Sequence, residues 1–355
     1  MKQKIVLLLL LINTVCWMSC EREIKFKGEI TDPLLVMNGF LTPDSMVSVH
    51  LSQSRFVLEG AEGGILPSIS DATVTLFVNG YYTEQLTHAA KGLYIGSYFP
   101  KEQDHIMIKA EVNGFKVIEG ETVIPKAPDV IITDSVSSVR YSDKYHSFYG
   151  DAEKEYQDTY WSAQLRMKLQ DRVNEENHYF IKGEKYYSLD DGRILPQYID
   201  LEIKEMLEQL RPGKEGYLGD ELFGEGSALT NNLFSDVVID GKELQFNFAF
   251  SEVIETKTYI NGEKEEEPMR EADMETNVMV AEMSKDMYQY IISGNEADAT
   301  DGNFLVEPVV VHSNIKNGLG ILGSYSSVIV SFRYKMRYST EIDDPRYPLT
   351  PFYAD

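Results

Sequence analysis

The sequence predicts a mainly β protein: an N-terminal immunoglobulin-like antiparallel β-sandwich, then a larger antiparallel β-rich domain with one or two short helices. Three observations carry this. Apolar runs alternate with period two, as where Val74, Leu76 and Val78 interleave with Thr73 and Thr75. That period puts one set of side chains on a core and the other in solvent. Asn-Gly pairs sit between such runs, at Asn79-Gly80 and Asn113-Gly114, and two-residue loops of this kind suit type I′ hairpin turns. Pro125 and Pro128 then break the pattern, favouring an extended linker and marking the boundary between the two parts.

The chain opens with Lys2 and Lys4, followed by the apolar run Ile5 to Ile12. This is the build of a secretory signal over residues 1–19. The run falls short of the roughly 20 apolar residues needed to span a bilayer. Ser19 stands directly before Cys20, and a small residue there lets a lipoprotein peptidase cut once the thiol carries lipid. Trp17 occupies the place where Leu is usual, and Met18 is also atypical. Of the 2 cysteines, Cys16 leaves with the signal. Cys20 is then the sole mature thiol, so no intramolecular disulfide competes for it, and an unmodified lone thiol would be a liability in an oxidising compartment. Residues 20–31 are polar and charged and read as a tether.

Residues 32–127 carry the sandwich. Its strands include Leu34 to Met37, the alternating Val47, Val49 and Leu51, Val74 to Val78, Leu93 to Tyr98, Ile106 to Val112 and Phe115 to Val123, with a further run from Tyr81 after Asn79-Gly80. About seven short strands suit a sandwich. Residues 128–355 form the β-rich domain. Tyr160 to Leu169, Tyr179 to Ile181 and Leu244 to Phe250 read as strands, the last preceded by Asp240-Gly241. Leu201 to Leu210 suits a helix ended by Arg211-Pro212-Gly213. Ser284 to Ser293 suits another, with Ser284 as N-cap and Gly294 just past its end. In the final strand Val328, Val330, Phe332, Tyr334, Met336 and Tyr338 face one way; Ser331, Arg333, Lys335 and Arg337 face the other.

Composition excludes several function classes. The net charge of −24 opposes nucleic acid and anionic lipid headgroups, both of which need a positive footprint. Gly318-Leu319-Gly320-Ile321-Leu322-Gly323 spells G-x-G-x-x-G, but a β run follows it and no βαβ unit has room, so a glycine-rich turn or bulge is the reading. His50, His88, His105, His146, His178 and His312 are scattered without zinc spacing. No G-x-S-x-G elbow surrounds a serine, although His312 and Ser313 adjoin. The acidic stretch Asn295 to Gly302 reads as a solvated loop that fails the EF-hand pattern. Glu265-Glu266-Glu267, near Asn261-Gly262, forms a charged hairpin tip. Arg333, Lys335 and Arg337 form a basic stripe, read as pairing with carboxylates on a neighbouring strand. No catalytic, cofactor-binding or metal residue is assigned, and no cofactor is expected.

Several stretches resemble a Bacteroidota lipoprotein family known as domain of unknown function 4249. They include Ser19-Cys20-Glu21, Leu35 to Leu41, Ala72 to Leu76 and Gly92-Leu93-Tyr94. Leu233 to Asp236 with Asp240-Gly241-Lys242, and above all Glu307-Pro308-Val309 through His312 to Gly320 and Gly323 to Ser326, complete the resemblance. It implies a lipid-anchored outer-membrane protein, often encoded beside TonB-dependent transporter barrels. Glu21 and Glu23 resemble part of an acidic surface-export signal, interrupted by Arg22 and Lys25. The expected function is that of a non-enzymatic accessory or ligand-capture partner of such a barrel; the alternative is a structural or adhesive envelope protein. The mature protein's intact mass is expected to show a lipidated Cys20, and Cys20→Ser should release a soluble product.

Overall fold

The computed structural model describes residues 32–54, 67–146, 154–188, 194–199, 232–236, 241–265, 269–300 and 309–339. The signal at 1–19, Cys20, the tether at 20–31 and the helix Leu201 to Leu210 lie outside the described residues.

Strands dominate. The first seven are β1 (Leu35–Leu41), β2 (Ser48–Gln53), β3 (Thr73–Val78), β4 (Tyr81–Ala90), β5 (Leu93–Ile95), β6 (His105–Glu111) and β7 (Ile118–Val123). Then come β8 (Asp129–Tyr141), β9 (Lys154–Gln170), β10 (His178–Ser188), β11 (Ile194–Ile199), β12 (Leu233–Ser235), β13 (Glu243–Ile260), β14 (Glu263–Lys264) and β15 (Met269–Met283). Helix α1 (Lys285–Thr300) precedes β16 (Ile315–Lys316) and β17 (Leu319–Ser339). One 13-stranded sheet runs β11-β10-β15-β17-β1-β2-β5-β4-β3-β6-β7-β16, with β12 on the flank of β10. A 4-stranded sheet runs β14-β13-β9-β8.

The long sheet folds back on itself at β4. Thr87 to Ala90 pair with β5, while Tyr81 to Leu86 pair with β3. Leu35, Met37, Val49 and Leu51 thereby share one core with Val74, Leu76, Ile106 and Ile108. Ile315 and Leu322 belong to the same core, so it is built from two stretches far apart in sequence. A second core joins the 4-stranded sheet to the other end of the long one. Leu165, Met167, Phe246 and Phe248 pack there with Tyr179, Ile181, Val278, Val280 and Phe332.

β17 connects the two cores. Its first residues pair in parallel with β1, Val36 opposite Leu319 through Leu41 opposite Ser324. From Tyr325 onward it pairs antiparallel with β15. Polar bonds fix the chain between β7 and β8 to this spine. Ser324 donates to the Val123 carbonyl at 2.8 Å and Ser326 to the Pro125 carbonyl at 2.7 Å, while Ile124 is fully buried. The Ile124 to Pro128 stretch is therefore strapped down along its length.

The turns separate cleanly by chemistry. Asn79 and Gly80 both have positive φ, at 53° and 82°, matching a type I′ hairpin between β3 and β4. Asn113-Gly114 differs. Only Gly114 has positive φ, and Phe115 N–H bonds the Val112 carbonyl at 3.2 Å. That is the pattern of a type II turn, whose twist does not match the strands it joins. The strand expected from Phe115 accordingly starts at Ile118, and Phe115 packs on the core instead. The strand expected over Leu93 to Tyr98 ends at Ile95.

The glycines of the apparent dinucleotide fingerprint are packing residues. A Cβ on Gly318 would lie 2.8 Å from the Leu35 carbonyl oxygen, and one on Gly323 2.8 Å from the Met287 Cβ. Gly320 has φ of +100°, and its Cβ would meet the Met37 oxygen at 2.2 Å. Close parallel approach of β17 to β1 demands glycine here.

Helix α1 extends 16 residues to Thr300. Gly294 lies inside it rather than past its end, and the stretch expected as an acidic loop is helical as far as Thr300. Ser284 provides the first helical acceptor, to Tyr288 N–H at 3.0 Å. Its hydroxyl, however, accepts from Ser324 N–H at 3.2 Å, so it staples helix to spine rather than capping N–H groups of the helix. The basic stripe pairs across strands: Arg333 with Glu275 at 2.9 Å and Arg337 with Glu271 at 2.9 Å.

Two glycine substitutions should act in opposite directions. Gly294→Ala meets nothing within 4 Å and removes helical backbone entropy, so it should raise stability by about 1 kcal/mol. Gly320→Ala should lower it by about 3 kcal/mol through backbone strain. Chemical denaturation of the two variants checks both signs.

Candidate functional site

An open concavity lies on the outer face of the 4-stranded sheet. It measures about 440 Å³ and is lined by Gln164, Arg166, Gln245, Asn247, Phe248 and Ala249. Alternation builds it. On β9, Leu165 and Met167 are buried while Gln164 and Arg166 are exposed; on β13, Phe246 and Phe248 are buried while Gln245, Asn247 and Ala249 are exposed. Register then sets Gln245 beside Lys168, Asn247 beside Arg166 and Ala249 beside Gln164.

The charges bordering this face are neutralised within the sheet. Lys168 pairs with Glu243 at 2.7 Å, and Arg166 with Asp134 at 3.4 Å. The side-chain amides of Gln164, Gln245 and Asn247 make no hydrogen bond among the described residues. Each amide offers both donors and an acceptor. Rows on neighbouring strands lie about 4.8 Å apart, so Gln164 stands in one row and Gln245 and Asn247 in the next, alongside the ion-paired Arg166 and Lys168. Such amides can both donate to and accept from a hydroxyl group.

A second polar cluster lies where β9, β10, β12, β15 and α1 meet, and it is a structural lock. Asn177 Nδ2 donates to Glu282 Oε1 at 3.0 Å, and Arg172 pairs with the other oxygen of Glu282. Arg172 also holds Glu175 at 2.8 Å, which in turn pairs with Lys126 at 3.0 Å. The chain of contacts thus reaches from the strapped stretch before β8 into the interior. Tyr179 Oη donates to Asp171 at 2.7 Å, and Asn177 N–H to Asp236 at 2.8 Å. Burial raises the Glu282 carboxyl above its usual range despite the Arg172 contact. Each of these side chains holds backbone or a neighbour, while Asn177 Oδ1 is buried without a hydrogen-bond partner among the described residues.

The other singled-out residues are dispersed. His312 Nε2 lies 2.8 Å from Asp286, and its N–H bonds Ser293 Oγ at 2.8 Å. Ser293 itself donates to the Gln289 carbonyl at 2.7 Å. This arrangement ties α1 to the stretch before β16. Asn314 reinforces it, exchanging bonds with Leu322 N–H at 2.9 Å and the Leu322 carbonyl at 3.0 Å. Among the described residues no three His, Cys, Asp or Glu side chains cluster as a metal site, and no helix is long and apolar enough to cross a membrane. Cys20 lies outside them. The amide array is not apparent from the sequence alone. Its signal was there, as Gln, Arg and Asn at the polar positions of two alternating runs, but pairing those runs needs the register.

The fold and this face define a mainly β protein with large sheets and an open polar surface. The chain belongs to the family described as Domain of unknown function (DUF4249), whose model matches residues 21–328. No curated protein matches it. Among solved structures it is similar to a membrane-anchored protein from Corynebacterium diphtheriae. The identity is 13%, with 71% of this chain and 55% of that chain covered, at a TM-score of 0.20. This chain thus spans little more than half of that protein's length. Carbohydrate-binding modules of the β-sandwich superfamily also match, at 11% identity and a TM-score of 0.15, covering 67% of this chain and 100% of that one. At these scores neither likeness bears on function.

His178 gives the lock a pH dependence. Burial holds its imidazole below the usual 6.5, outweighing the attraction of Glu176, while Lys285 lowers it further. Its ring packs on Tyr288 at 4.4 Å. The unfolded imidazole takes up its proton at higher pH than the folded one, so this contribution is complete above about pH 6.5 and is lost as pH falls below it. Glu282 acts oppositely, its raised carboxyl costing stability as pH rises above 4.5. His178→Phe should therefore show a smaller drop in Tm between about pH 7 and pH 5 than the parent chain.

Proposed function

We propose that this chain is a non-enzymatic outer-membrane lipoprotein of a Bacteroidota cell that captures ligand beside a TonB-dependent transporter barrel. Three things support the reading. Residues 1–20 have the build of a lipoprotein signal ending in Ser19-Cys20. Family membership covers residues 21–328. The observation that carries the capture role is the set of side-chain amides of Gln164, Gln245 and Asn247 on an open face where the neighbouring Arg166 and Lys168 are already ion-paired. The ligand class that fits is a neutral oligosaccharide, since its hydroxyl groups match amides that both donate and accept. Two finer readings belong to the same proposal: an immunoglobulin-like sandwich over residues 32–127, to whose core Ile315 and Leu322 add, and a larger β-rich domain from residue 128.

One experiment separates the anchor and partner from the ligand. Crosslinking in cells, followed by purification from outer membranes, should recover a β-barrel with the chain. A Gln164→Ala/Asn247→Ala variant should keep that crosslink but lose about tenfold in affinity for whichever of maltohexaose, cellohexaose and xylohexaose the parent chain binds, as expected for two lost hydrogen bonds. Repeated recovery of the chain alone would overturn the transporter role and favour the structural or adhesive alternative. Absence of binding to all three sugars would overturn the ligand class.

A further inference from the structure

β8 borders the amide-lined face, and among the described residues it pairs with β9 along one edge only. Among the described residues the other edge of this 13-residue strand has no partner, its register is interrupted only between Ile132 and Asp134, and nearly every side chain on it is solvent-exposed. Val136 and Val139 are each 54% exposed and Tyr141 62%. The segment DVIITDSVSSVRY holds no proline, lysine or glycine. A long open edge lacking those residues has few of the devices that keep a strand from pairing with another chain.

The backbone shows which groups face outward. Ser142 N–H bonds the Asp158 carbonyl of β9 at 2.8 Å, and the register is unbroken from Asp134 to Tyr141. In an antiparallel strand, successive residues direct their N–H and C=O groups to opposite sides. The even-numbered residues therefore bond β9, while Ser135, Ser137, Val139 and Tyr141 direct theirs to the open edge.

We propose that a second copy of this chain pairs there, β8 against β8, antiparallel about a two-fold axis through Ser137. The charges select both the occupant and the register. Asp134 and Arg140 lie equally far from Ser137 on opposite sides, so this axis sets Asp134 of each copy opposite the partner's Arg140. Both have their backbone groups turned inward, which makes these non-hydrogen-bonded pairs, the kind that brings side chains closest, with Cα atoms about 4.5 Å apart. Arg140 is ready for the pairing: among the described residues it has no carboxylate partner, and its guanidinium lies 5.5 Å from the Tyr160 ring centroid. Asp134 already contacts Arg166 at 3.4 Å, which holds its carboxylate on the same outer face. Ser137 meets the partner's Ser137 as a hydrogen-bonded pair on the axis. Self-complementary contact of this kind closes a symmetric dimer. It joins two 4-stranded sheets into one and runs the amide-lined face across the axis. The dimer stands on the edge strand alone and does not depend on any ligand.

Sedimentation equilibrium of the full chain in detergent, corrected for bound detergent, tests this at tens of micromolar. The parent chain should be dimeric. Asp134→Arg and Arg140→Asp should each weaken association about tenfold through opposed like charges, and the double variant should regain it. Ser137→Pro should be monomeric with unchanged circular dichroism and Tm, because the N–H it removes bonds nothing within one copy. A monomeric parent chain, a dimer that survives Ser137→Pro, or a double variant no tighter than the single ones would each overturn the proposal.

Discussion

Six residue pairs between Val36–Leu41 and Leu319–Ser324 hold the first strand of the described fold to the last. This parallel contact is what the remaining structure leans on. Parallel strands need a long connection between them, and here almost the whole chain is that connection. Because β17 continues past Ser324 into its pairing with β15, the strand that completes the first core also supplies Val330 and Phe332 to the second. The two cores therefore share one continuous hydrogen-bonded element. Buried hydroxyls at Ser324 and Ser326 use the same strand to fasten the stretch between β7 and β8. An isolated buried hydroxyl is costly, so each finds a main-chain carbonyl.

The same economy explains the glycines. Gly318, Gly320 and Gly323 sit where β17 passes β1, β16 and α1 at distances that leave no room for a side chain. Helix α1 is held to this crowded spine by polar contacts more than by apolar burial, since none of its residues is fully buried. Ser284, Asp286 and Ser293 each bond the chain near β17 or the stretch leading into it. Tight packing lies beneath this polar attachment, with Met287 seated on Gly323.

The outer face of the 4-stranded sheet shows how electrostatics shapes a surface in a chain of net charge −24. Arg166 and Lys168 are matched to carboxylates on adjacent strands, and exposed pairs of this kind contribute little to stability. Their consequence is local: they leave a neutral array of amides on an acidic protein. The buried ionic chain through Arg172 and Glu282 behaves differently. There the loss of either partner would strand a charge away from water, so this cluster fixes geometry at the meeting point of β9, β10, β15 and α1.

Much of the architecture was legible in the sequence because it is local. Alternation in β3, β9, β13 and β17 marked the strands, and Asn79-Gly80 fixed a hairpin through its φ requirement. Local rules also had their limits. Asn113-Gly114 carries the hairpin dipeptide, but Phe115 is drawn into the core and a type II turn results. Gly294 carries the helix-ending residue, but the segment beyond it remains helical as far as Thr300. Tertiary structure alone decided the rest: the parallel union of β1 with β17, the close approaches that make Gly318 to Gly323 a packing motif, and the register that aligns Gln164, Gln245 and Asn247 on one face. Each is a relation between residues distant in the chain. Their hydrophobic and hydrogen-bonding terms exist only once both partners are in place, so no window of sequence around either one contains them.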